Sequence, residues 1–343
     1  MKTRISIDIG SGNVHIAEGR FQKGQVSVRQ SRSFALPEGC LAEEDVKDEQ
    51  LLADAISRFL KEGKFHAKEA IVTVNASHAV IRELDFPRAK PKELDSMVKN
   101  EMVQTFHVMS SDMIQYKEIG KAPGEDGEAL KRYRVAAIDR DIVEAYYHVL
   151  ELAGLKAAAM DLNVNAVDKL FAWSDSINEK PYGDEAVMLL DFGQSHTTVY
   201  IFSKGQPMFS RHLPIGSGDM DGILRSSAPQ QTADIREIKE TMNFFEDSEE
   251  ADQYSVSLQP FFYRLNDEIR KVVAFYHDRT YSGSIGHVYL FGMGSELPGL
   301  PDYWTGILNL PVEKLRSVGK SGTAVRVDPA HLNAVAALIR HNK

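Results

Sequence analysis

Two stretches of the chain show the same alternation of apolar and polar residues, and the other segments can be arranged around them. Residues 4–19 (RISIDIGSGNVHIAEG) and 187–202 (VMLLDFGQSHTTVYIF) each begin with an apolar run that ends in an aspartate, Asp8 or Asp191. A glycine follows two residues later, then a short polar turn and a second run rich in β-branched residues. Each stretch therefore predicts a β-hairpin. Because the pattern occurs twice, we expect two similar halves that close on one ligand.

Elsewhere the periodicity predicts strands and helices in alternation, as in α/β layers. Strands are predicted at 25–35, 70–74, 80–86, 113–119, 133–138, 157–161, 207–213 and 287–291. Helices are predicted at 49–60, 91–106, from Asp139 or Asp141 to 152, 164–173, from about 219, 233–245, 256–279 and 331–339. Gly-, Pro- and polar-rich composition predicts an exposed loop at 121–131, a polar linker at 174–184 and a solvated acidic loop at 246–252.

The order of these elements predicts an insertion in the first half. Residues 77–155 read as a strand–helix–strand–strand–helix block, which is typical of a small α+β subdomain. The expected division is a first-lobe core at 1–76 and 156–184, an inserted subdomain at 77–155, a second-lobe core at 185–213 and 284–343, and a mainly helical second-lobe subdomain at 214–283.

Composition and charge restrict the class of protein. The chain has 343 residues, 43% of them hydrophobic and 26% charged, which is typical of a soluble globular protein. Its net charge of −9 disfavours nucleic acid or anionic lipid as the main partner. The sequence has neither an apolar run long enough to cross a membrane nor a signal-peptide core, so we expect no direct membrane insertion. A single cysteine, Cys40, excludes an intramolecular disulfide and is compatible with a reducing cytosol.

The two hairpin turns suggest phosphate binding. Glycines at Gly10, Gly12 and Gly193 allow backbone N–H groups to approach an anion. Asp8 and Asp191 would repel a bare phosphate, so their position indicates Mg²⁺ or ordered water between carboxylate and ligand. Late in the chain, the apolar run 287–291 enters a glycine-rich loop, where a nucleotide can lie against the backbone.

These motifs together resemble those of the actin-like ATPase superfamily. The two Asp-x-Gly hairpins are similar to its two phosphate motifs, and Gly292-Met293-Gly294 through Leu300 is similar to its adenosine motif. The position of the insert resembles the branch that contains FtsA and the PilM family of type IV pilus assembly proteins. The resemblance implies an α/β, two-lobed actin-like fold of duplicated ribonuclease-H-like domains, with the inserted α+β subdomain in the first lobe.

The same resemblance implies a site for ATP or ADP with Mg²⁺ in the cleft between the lobes. Asp8 and Asp191 would face the Mg²⁺ through water, and Asp161 could position a water molecule or simply cap a strand end. The other residues implied to contact the nucleotide are Gly10, Ser11, Gly12, Asn13, Gly193, Gln194, Thr197, Thr198, Gly216, Lys239, Gly292, Gly294 and Ser295. Arg236 and Met293 depart from the usual pattern and leave the nucleotide affinity open.

The function that the resemblance implies is that of a cytoplasmic ATP-binding scaffold with at most slow ATP hydrolysis. Its partner would be the N-terminal cytoplasmic peptide of a PilN-like bitopic membrane protein, held between the first-lobe core and the insert in a nucleotide-sensitive way. Such a protein would lie peripherally at the inner membrane through that partner, with other pilus assembly platform components and self-association as further contacts.

Three alternatives remain at this point. The first is an FtsA-like filament-forming protein, which the absence of a C-terminal amphipathic membrane helix from the sequence disfavours. The second is a sugar or acetate kinase of the same superfamily, which the insert disfavours. The third is a degenerate scaffold without nucleotide.

Overall fold

Two five-stranded sheets of identical topology form the frame of the molecule. The computed structural model describes residues 2–42, 45–75, 77, 79–123, 129–227, 234–246, 249–279, 284–320 and 322–340. The first sheet contains β1 (Arg4–Ile9), β2 (Asn13–Gln22), β3 (Gln25–Ala35), β6 (Glu69–Val74) and β10 (Lys156–Leu162), in the order β10-β6-β1-β2-β3. The second contains β13 (Ala186–Phe192), β14 (Thr197–Ser203), β15 (Gln206–Leu213), β16 (Ile285–Phe291) and β17 (Val312–Lys314), in the order β15-β14-β13-β16-β17.

The strand directions repeat as well as the strand order. In each sheet the first three strands along the chain are antiparallel neighbours, and the last two run parallel to the first. The two predicted hairpins are therefore β1–β2 and β13–β14, and the prediction of two similar halves is confirmed.

Helices cover both outer faces and fill the space between the sheets. The outer face of the first sheet packs against α1 (Glu49–Glu62) and α3 (Arg140–Leu152). The outer face of the second packs against α5 (Asp219–Ser227), α6 (Ile235–Thr241), α7 (Glu249–Arg279) and α8 (Leu300–Leu308). Two helices, α4 (Asn163–Trp173) and α9 (Leu332–Ala337), share one apolar core with the inner faces of both sheets. The two lobes are thus joined through a common hydrophobic core.

Local signals in the sequence account for several helix ends. The Asp48 carboxylate accepts a hydrogen bond from the backbone N–H of Leu51 at the start of α1, and Gly63 follows its end. Pro91 occupies the first position of α2 (Pro91–Phe106), where no N–H is needed. At the start of α3 the Asp139 carboxylate accepts a hydrogen bond from the backbone N–H of Asp141. The predicted helices at 49–60, 91–106 and 139–152 are confirmed.

The inserted block forms a small three-stranded sheet with its own core. Its strands are β7 (Ala79–Phe86), β8 (Met113–Pro123) and β9 (Ala129–Ile138), in the order β7-β9-β8. One face of this sheet packs on α2 through residues such as Met102 and Val135. In contrast, α3 packs against α1 in the first-lobe core. The separate core of the insert is therefore made mainly by the strands and α2, with Val108 from the segment that follows α2.

The predicted polar linker at 174–184 is wrong, because this segment is built into a sheet. It contains β11 (Ser176–Ile177) and β12 (Lys180–Pro181), which pair with β18 (Ser317–Gly319) and β19 (Val325–Arg326) near the C-terminus. Ile177 is 1% exposed and belongs to the interlobe core. Strands of two residues show no hydrophobic period, so the sequence pattern could not indicate them.

Several predicted boundaries also change. The strands β8 and β9 extend into the predicted loop at 121–131, of which residues 124–128 lie outside the described part. Within the predicted helix at 233–245 only Ile235–Thr241 is helical, and Ala233 lies outside the described part. The predicted acidic loop at 246–252 is partly wrong, because α7 begins at Glu249. A short pair, β4 (Leu41–Ala42) and β5 (Asp45–Val46), was not predicted. No helix in the described part of the chain is long and apolar enough to span a membrane.

Candidate functional site between the lobes

Strand alternation directs the aspartates of the two hairpins, Asp8 and Asp191, toward each other. In β1 the side chains of Ile7 and Ile9 pack into the outer core, so Asp8 between them lies on the inner face. In β13, Leu190 and Phe192 pack into the outer core, which places Asp191 on the inner face of the second sheet. Both carboxylates are 4% exposed. The cleft between the lobes therefore has one buried carboxylate on each wall.

The two hairpin turns have the same backbone hydrogen bond. The Gly10 N–H donates to the Asn13 carbonyl at 3.0 Å, and the Gly193 N–H donates to the His196 carbonyl at 2.9 Å. The turns also meet across the cleft, since a Cβ placed on Gly12 would lie 3.1 Å from Cγ of Gln194. The predicted phosphate motifs are thus brought together at the cleft mouth.

A second contact joins the lobes beside the turns. The side-chain amide nitrogen of Asn75, just after β6, lies 2.8 Å from Nδ1 of His196 in the second hairpin. The ring of His196 also lies 4.5 Å, centroid to centroid, from that of His212 on β15. Polar groups of both lobes therefore line this side of the cleft.

The buried position of Asp8 disfavours the charged form of its carboxyl group. Burial raises its pKa to about 6 from an ordinary 3.8, and the negative charge of Asp191 adds to the rise. Hydrogen bonds from Thr73, whose Oγ1 is 2.9 Å from Asp8 Oδ1, and from the Asn163 amide oppose it. Burial is the larger effect, so the folded protein disfavours the charge on Asp8.

Asp191 has a matching environment in the second lobe. Its pKa is raised by burial, while a hydrogen bond from Nδ2 of Asn333, at 3.1 Å, lowers it. Asn163 is the first residue of α4 and Asn333 the second of α9, so equivalent helices each supply one amide to one aspartate. The side-chain oxygens of both asparagines are buried and have no hydrogen-bond partner among the described residues.

This arrangement fits a hydrated divalent cation. Two buried carboxylates that repel each other gain from a positive charge between them, and unpaired amide oxygens can accept hydrogen bonds from its water ligands. In the described part of the chain, no three His, Cys, Asp or Glu side chains come together as a ready-made metal cage. The donor set therefore matches Mg²⁺, which keeps several water ligands, better than a metal held only by protein.

The glycine-rich loop after β16 lies directly against Asp191. Gly292 has φ +84°, and a Cβ there would lie 2.4 Å from Asp191 Oδ1. Gly294 is packed against the ring of Phe192, and the Ser295 hydroxyl donates to the Gly292 carbonyl at 2.7 Å. Met293 is only partly buried. The loop thus reaches the cleft through its backbone, with Ser295 used to hold its shape.

The loop at 214–218 closes on the second hairpin. A Cβ on Gly216 would lie 2.2 Å from the Gln194 carbonyl oxygen, so only glycine permits this approach. Lys239 Nζ donates to the Ser217 carbonyl at 2.9 Å and to Asp221 at 2.8 Å. Arg236 is exposed and pairs with Glu240 on the same helix. Lys239 therefore holds this loop through the Ser217 carbonyl, whereas the Arg236 side chain lies in solvent.

Two of the predicted site residues are engaged in other contacts. The Thr197 hydroxyl donates to the Ile215 carbonyl at 2.7 Å and lies on the opposite face of β14 from Thr198, which pairs with Asp191. Asp161 forms an ion pair with Lys169 and accepts a hydrogen bond from Nδ2 of Asn165 at 2.6 Å. Thr73, Asn163 and Asn333 were not predicted; a shared Leu-Asn pair at the start of α4 and α9 was the one available signal.

A buried histidine pair beside the cleft should make stability depend on pH. His15 on β2 is the strand partner of Asp8 on β1, and the centroid of its ring lies 5.3 Å from that of His331. Burial lowers the pKa of His15 to about 4. The unfolded chain binds this proton below about 6.5 and the folded chain only below about 4, so the free energy of unfolding falls as the pH drops between those values.

The raised pKa of Asp8 changes stability with pH in the opposite sense, so the effect of His15 must be separated from it. Comparing the parent with His15→Asn does this, because Asp8 is present in both proteins. Between pH 7 and 4.5, His15→Asn is expected to lose about 2 kcal/mol less of its unfolding free energy than the parent does. Urea unfolding of both proteins at the two pH values measures the difference. Equal losses would show that His15 is not held neutral by the fold.

Comparison with known proteins agrees with this architecture. The family model described as type IV pilus assembly protein PilM matches residues 6–338. Among solved structures, the PilM-PilN type IV pilus biogenesis complex superposes with a TM-score of 0.78 at 19% sequence identity, covering 98% of this chain and 97% of that chain.

Two further structures share the fold at lower similarity. Ethanolamine utilization protein EutJ from Carboxydothermus hydrogenoformans has a TM-score of 0.56 at 12% identity, covering 98% of this chain and 89% of its own. MreB5 of Spiroplasma citri bound to ADP has a TM-score of 0.54 at 12% identity, covering 98% and 95%. The expected two-lobed actin-like fold is confirmed, and this chain belongs to the PilM family of type IV pilus assembly proteins.

Proposed function

We propose that this protein is an ATP-binding scaffold of type IV pilus assembly that holds Mg-ATP or Mg-ADP between its lobes. The observation that carries the proposal is the pair of buried carboxylates, Asp8 and Asp191, on facing walls with raised pKa values. Burying such a pair lowers the stability of the empty protein, and a bound cation would offset this cost. A purely structural cleft would have no need of it.

The residues present suit each part of the ligand. Mg²⁺ would be held by Asp8 and Asp191 through water, with the free oxygens of Asn163 and Asn333 accepting from that water; it supplies positive charge that neutralises carboxylates and phosphates. The turn residues Gly10, Ser11, Gly12 and Asn13 in one lobe and Gly193, Gln194 and Thr198 in the other would face the phosphates. Gly216, Lys239, Gly292 and Gly294 would lie toward the adenosine.

Hydrolysis is expected to be slow at most. Asp161, the candidate for positioning water, is 7% exposed and is neutralised by the ammonium group of Lys169. Its oxygens are occupied by the ammonium group of Lys169 and the side-chain amide of Asn165, so Asp161 is poorly placed to orient an attacking water molecule. The site is therefore suited to holding a nucleotide rather than to rapid turnover.

The partner we propose is the N-terminal cytoplasmic peptide of a PilN-like inner-membrane protein. Membership of the PilM family and the similarity to the chain of a PilM-PilN complex support this assignment. The peptide would be gripped between the first-lobe core and the inserted subdomain, at the cytoplasmic face of the inner membrane. Other platform components and further copies of the chain are additional candidates for contact.

Thermal melting with and without Mg-ATP tests the nucleotide site. At 100 times its dissociation constant a ligand adds about 2.7 kcal/mol, which raises Tm by a few degrees for a chain of this size. Asp191→Ala should lose this rise, whereas Asp54→Ala, an exposed aspartate on α1, should keep it. An unmoved Tm at saturating Mg-ATP would favour the alternative of an actin-like scaffold without nucleotide. One contact is consistent with that alternative, since the ammonium group of Lys239 is already paired with Asp221.

The partner is tested by titration of a synthetic peptide. If the gene beside this one encodes a protein with a short cytoplasmic N-terminus and a single membrane span, that N-terminal peptide should bind in isothermal titration calorimetry. Its affinity is expected to change by about fivefold with Mg-ATP, at the lower end of usual coupling. Absence of binding in both nucleotide states would contradict the partner assignment.

A further inference from the structure

A charged contact fastens the inserted subdomain to the interlobe helix α4. Arg134, on the central strand β9 of the insert, forms an ion pair with Asp168 of α4 and a second one with Glu83 of β7 at 3.0 Å. Asp168 is 8% exposed, and its side chain is more buried than that of Arg134. Removing one partner of such a pair leaves a poorly solvated charge, so the contact is costly to break.

The alternation of β9 places this contact on the face that looks toward the interlobe core. Tyr133 and Val135 belong to the apolar core beneath α2, which leaves Arg134 on the opposite face. On the neighbouring strand β7, Ile81 packs against the interlobe core. This face of the insert therefore meets α4 through the Arg134–Asp168 ion pair and meets the interlobe core through Ile81.

The first residue of α4 lies at the cleft, and the contact with the insert lies near the middle of the helix. Its first residue, Asn163, donates a hydrogen bond to Asp8, and Asp168 lies five residues further along the helix, a rise of about 7.5 Å. Most of α4 is buried, and Lys169 ties it to Asp161 at the end of β10. A short, well-packed helix of this kind is expected to shift as one unit, because close-packed side chains transmit displacement.

We propose that α4 transmits the occupancy of the cleft to the inserted subdomain, with Asp168 and Arg134 as the coupling pair. This inference rests on the proposed nucleotide site and adds the route of its regulation. A ligand that neutralises Asp8 changes what Asn163 contacts, which shifts the equilibrium position of α4. Because Arg134 is bound to α4 rather than to solvent, the insert follows that shift.

The chain offers a matched control on the same strand. Arg132, two residues before Arg134, forms a bidentate pair with Asp85 at 2.8 Å for both hydrogen bonds. This pair lies entirely within the insert and bridges the same two strands, β7 and β9. A variant of Arg132 therefore perturbs the insert without touching α4.

Hydrogen exchange measured by mass spectrometry on the whole protein tests the route, with Mg²⁺ and the non-hydrolysable analogue AMPPNP as the probe. In the parent, the analogue should slow exchange in the two hairpin turns and change exchange in β7, β8 and β9 by about fivefold. Asp168→Asn and Arg134→Gln should keep the effect at the turns and lose the effect in the insert. Arg132→Gln should keep both.

The outcomes separate this inference from the function on which it rests. If the analogue changes exchange nowhere, the nucleotide site is wrong. If the turns respond but the insert of the parent does not, or if Asp168→Asn retains the response of the insert, coupling through this pair is wrong. Because Asp168→Asn is nearly isosteric and leaves Arg134 its bond to Glu83, this variant remains informative even if Arg134→Gln fails to fold.

Discussion

Replacing Asp8 by asparagine is expected to raise the free energy of unfolding by about 3 kcal/mol at pH 7.5, in EDTA and without nucleotide. The folded-state pKa of about 6 exceeds the ordinary 3.8, so the folded protein binds this proton more tightly than the unfolded chain does. Stability contributed by the group is therefore lost as the pH rises from about 4 to 6, at about 1.4 kcal/mol for each pH unit. Asparagine removes the charge and can bond to the free oxygen of Asn163.

Urea unfolding of Asp8→Asn at pH 7.5 and pH 4 measures this effect. The gain should shrink at the lower pH, where Asp8 of the parent is largely neutral. Asp85→Asn is the matched control, because Arg132 lowers the pKa of Asp85 and removal of its charge should be neutral or destabilising. A loss of stability in Asp8→Asn would show that the carboxylate is compensated within the fold. The same variant should gain nothing from Mg-ATP, which separates binding from folding.

Replacing Gly292 by alanine is expected to lower the free energy of unfolding by about 4 kcal/mol. With φ +84° and ψ 167°, Gly292 has a conformation that is nearly restricted to glycine. In addition, the new Cβ would lie 2.4 Å from Asp191 Oδ1 and 2.8 Å from the Phe192 carbonyl oxygen. The backbone strain and the overlap each contribute about 1–3 kcal/mol.

Gly154, which follows α3, is a control with the same backbone handedness and no steric overlap. Its φ is +75°, and a Cβ there would meet nothing within 4 Å, so Gly154→Ala should cost only about 1 kcal/mol. Equal losses in the two variants by urea unfolding would mean that the loop yields to the new side chain. Where Gly292→Ala remains folded, the displacement of Asp191 should also weaken the stabilisation by Mg-ATP.

The elements that could be predicted from the sequence are those whose signals are local. The two hairpins have period-two alternation around Asp-x-Gly, and α1 has a capping aspartate, a helical stripe and a terminal glycine. The β11–β12 and β18–β19 pairs have only two or three residues per strand, and the pairing of β11 with β18 joins segments about 140 residues apart in the sequence. Their position depends on tertiary contacts that no short window contains.

The same distinction applies to the site. Asp8, Asp191 and the turn glycines were predicted because the motif occurs twice. Thr73 and Asn163 act on Asp8 only because three parallel strands and a helix bring them together, and a lone Thr or Asn has no pattern to indicate this. The period of the strand, however, already implies that Thr197 lies on the other face from Thr198, so sequence reasoning could have excluded its hydroxyl from the cleft.

Because the two lobes have the same strand order, the proposed ligand would meet similar walls on both sides of the cleft. Two walls of the same topology present the same groups from both sides, as Asp8 with Asn163 and Asp191 with Asn333 do. A spherical hydrated ion can be met equally by both walls, but a nucleotide has two different ends. If the cleft holds a nucleotide as proposed, selection of its base would depend on segments that differ between the lobes, such as the Gly216 loop, whose Ser217 carbonyl accepts a hydrogen bond from Lys239. In evolutionary terms, exchange of that loop would then alter which nucleotide the proposed site accepts, while leaving the duplicated frame intact.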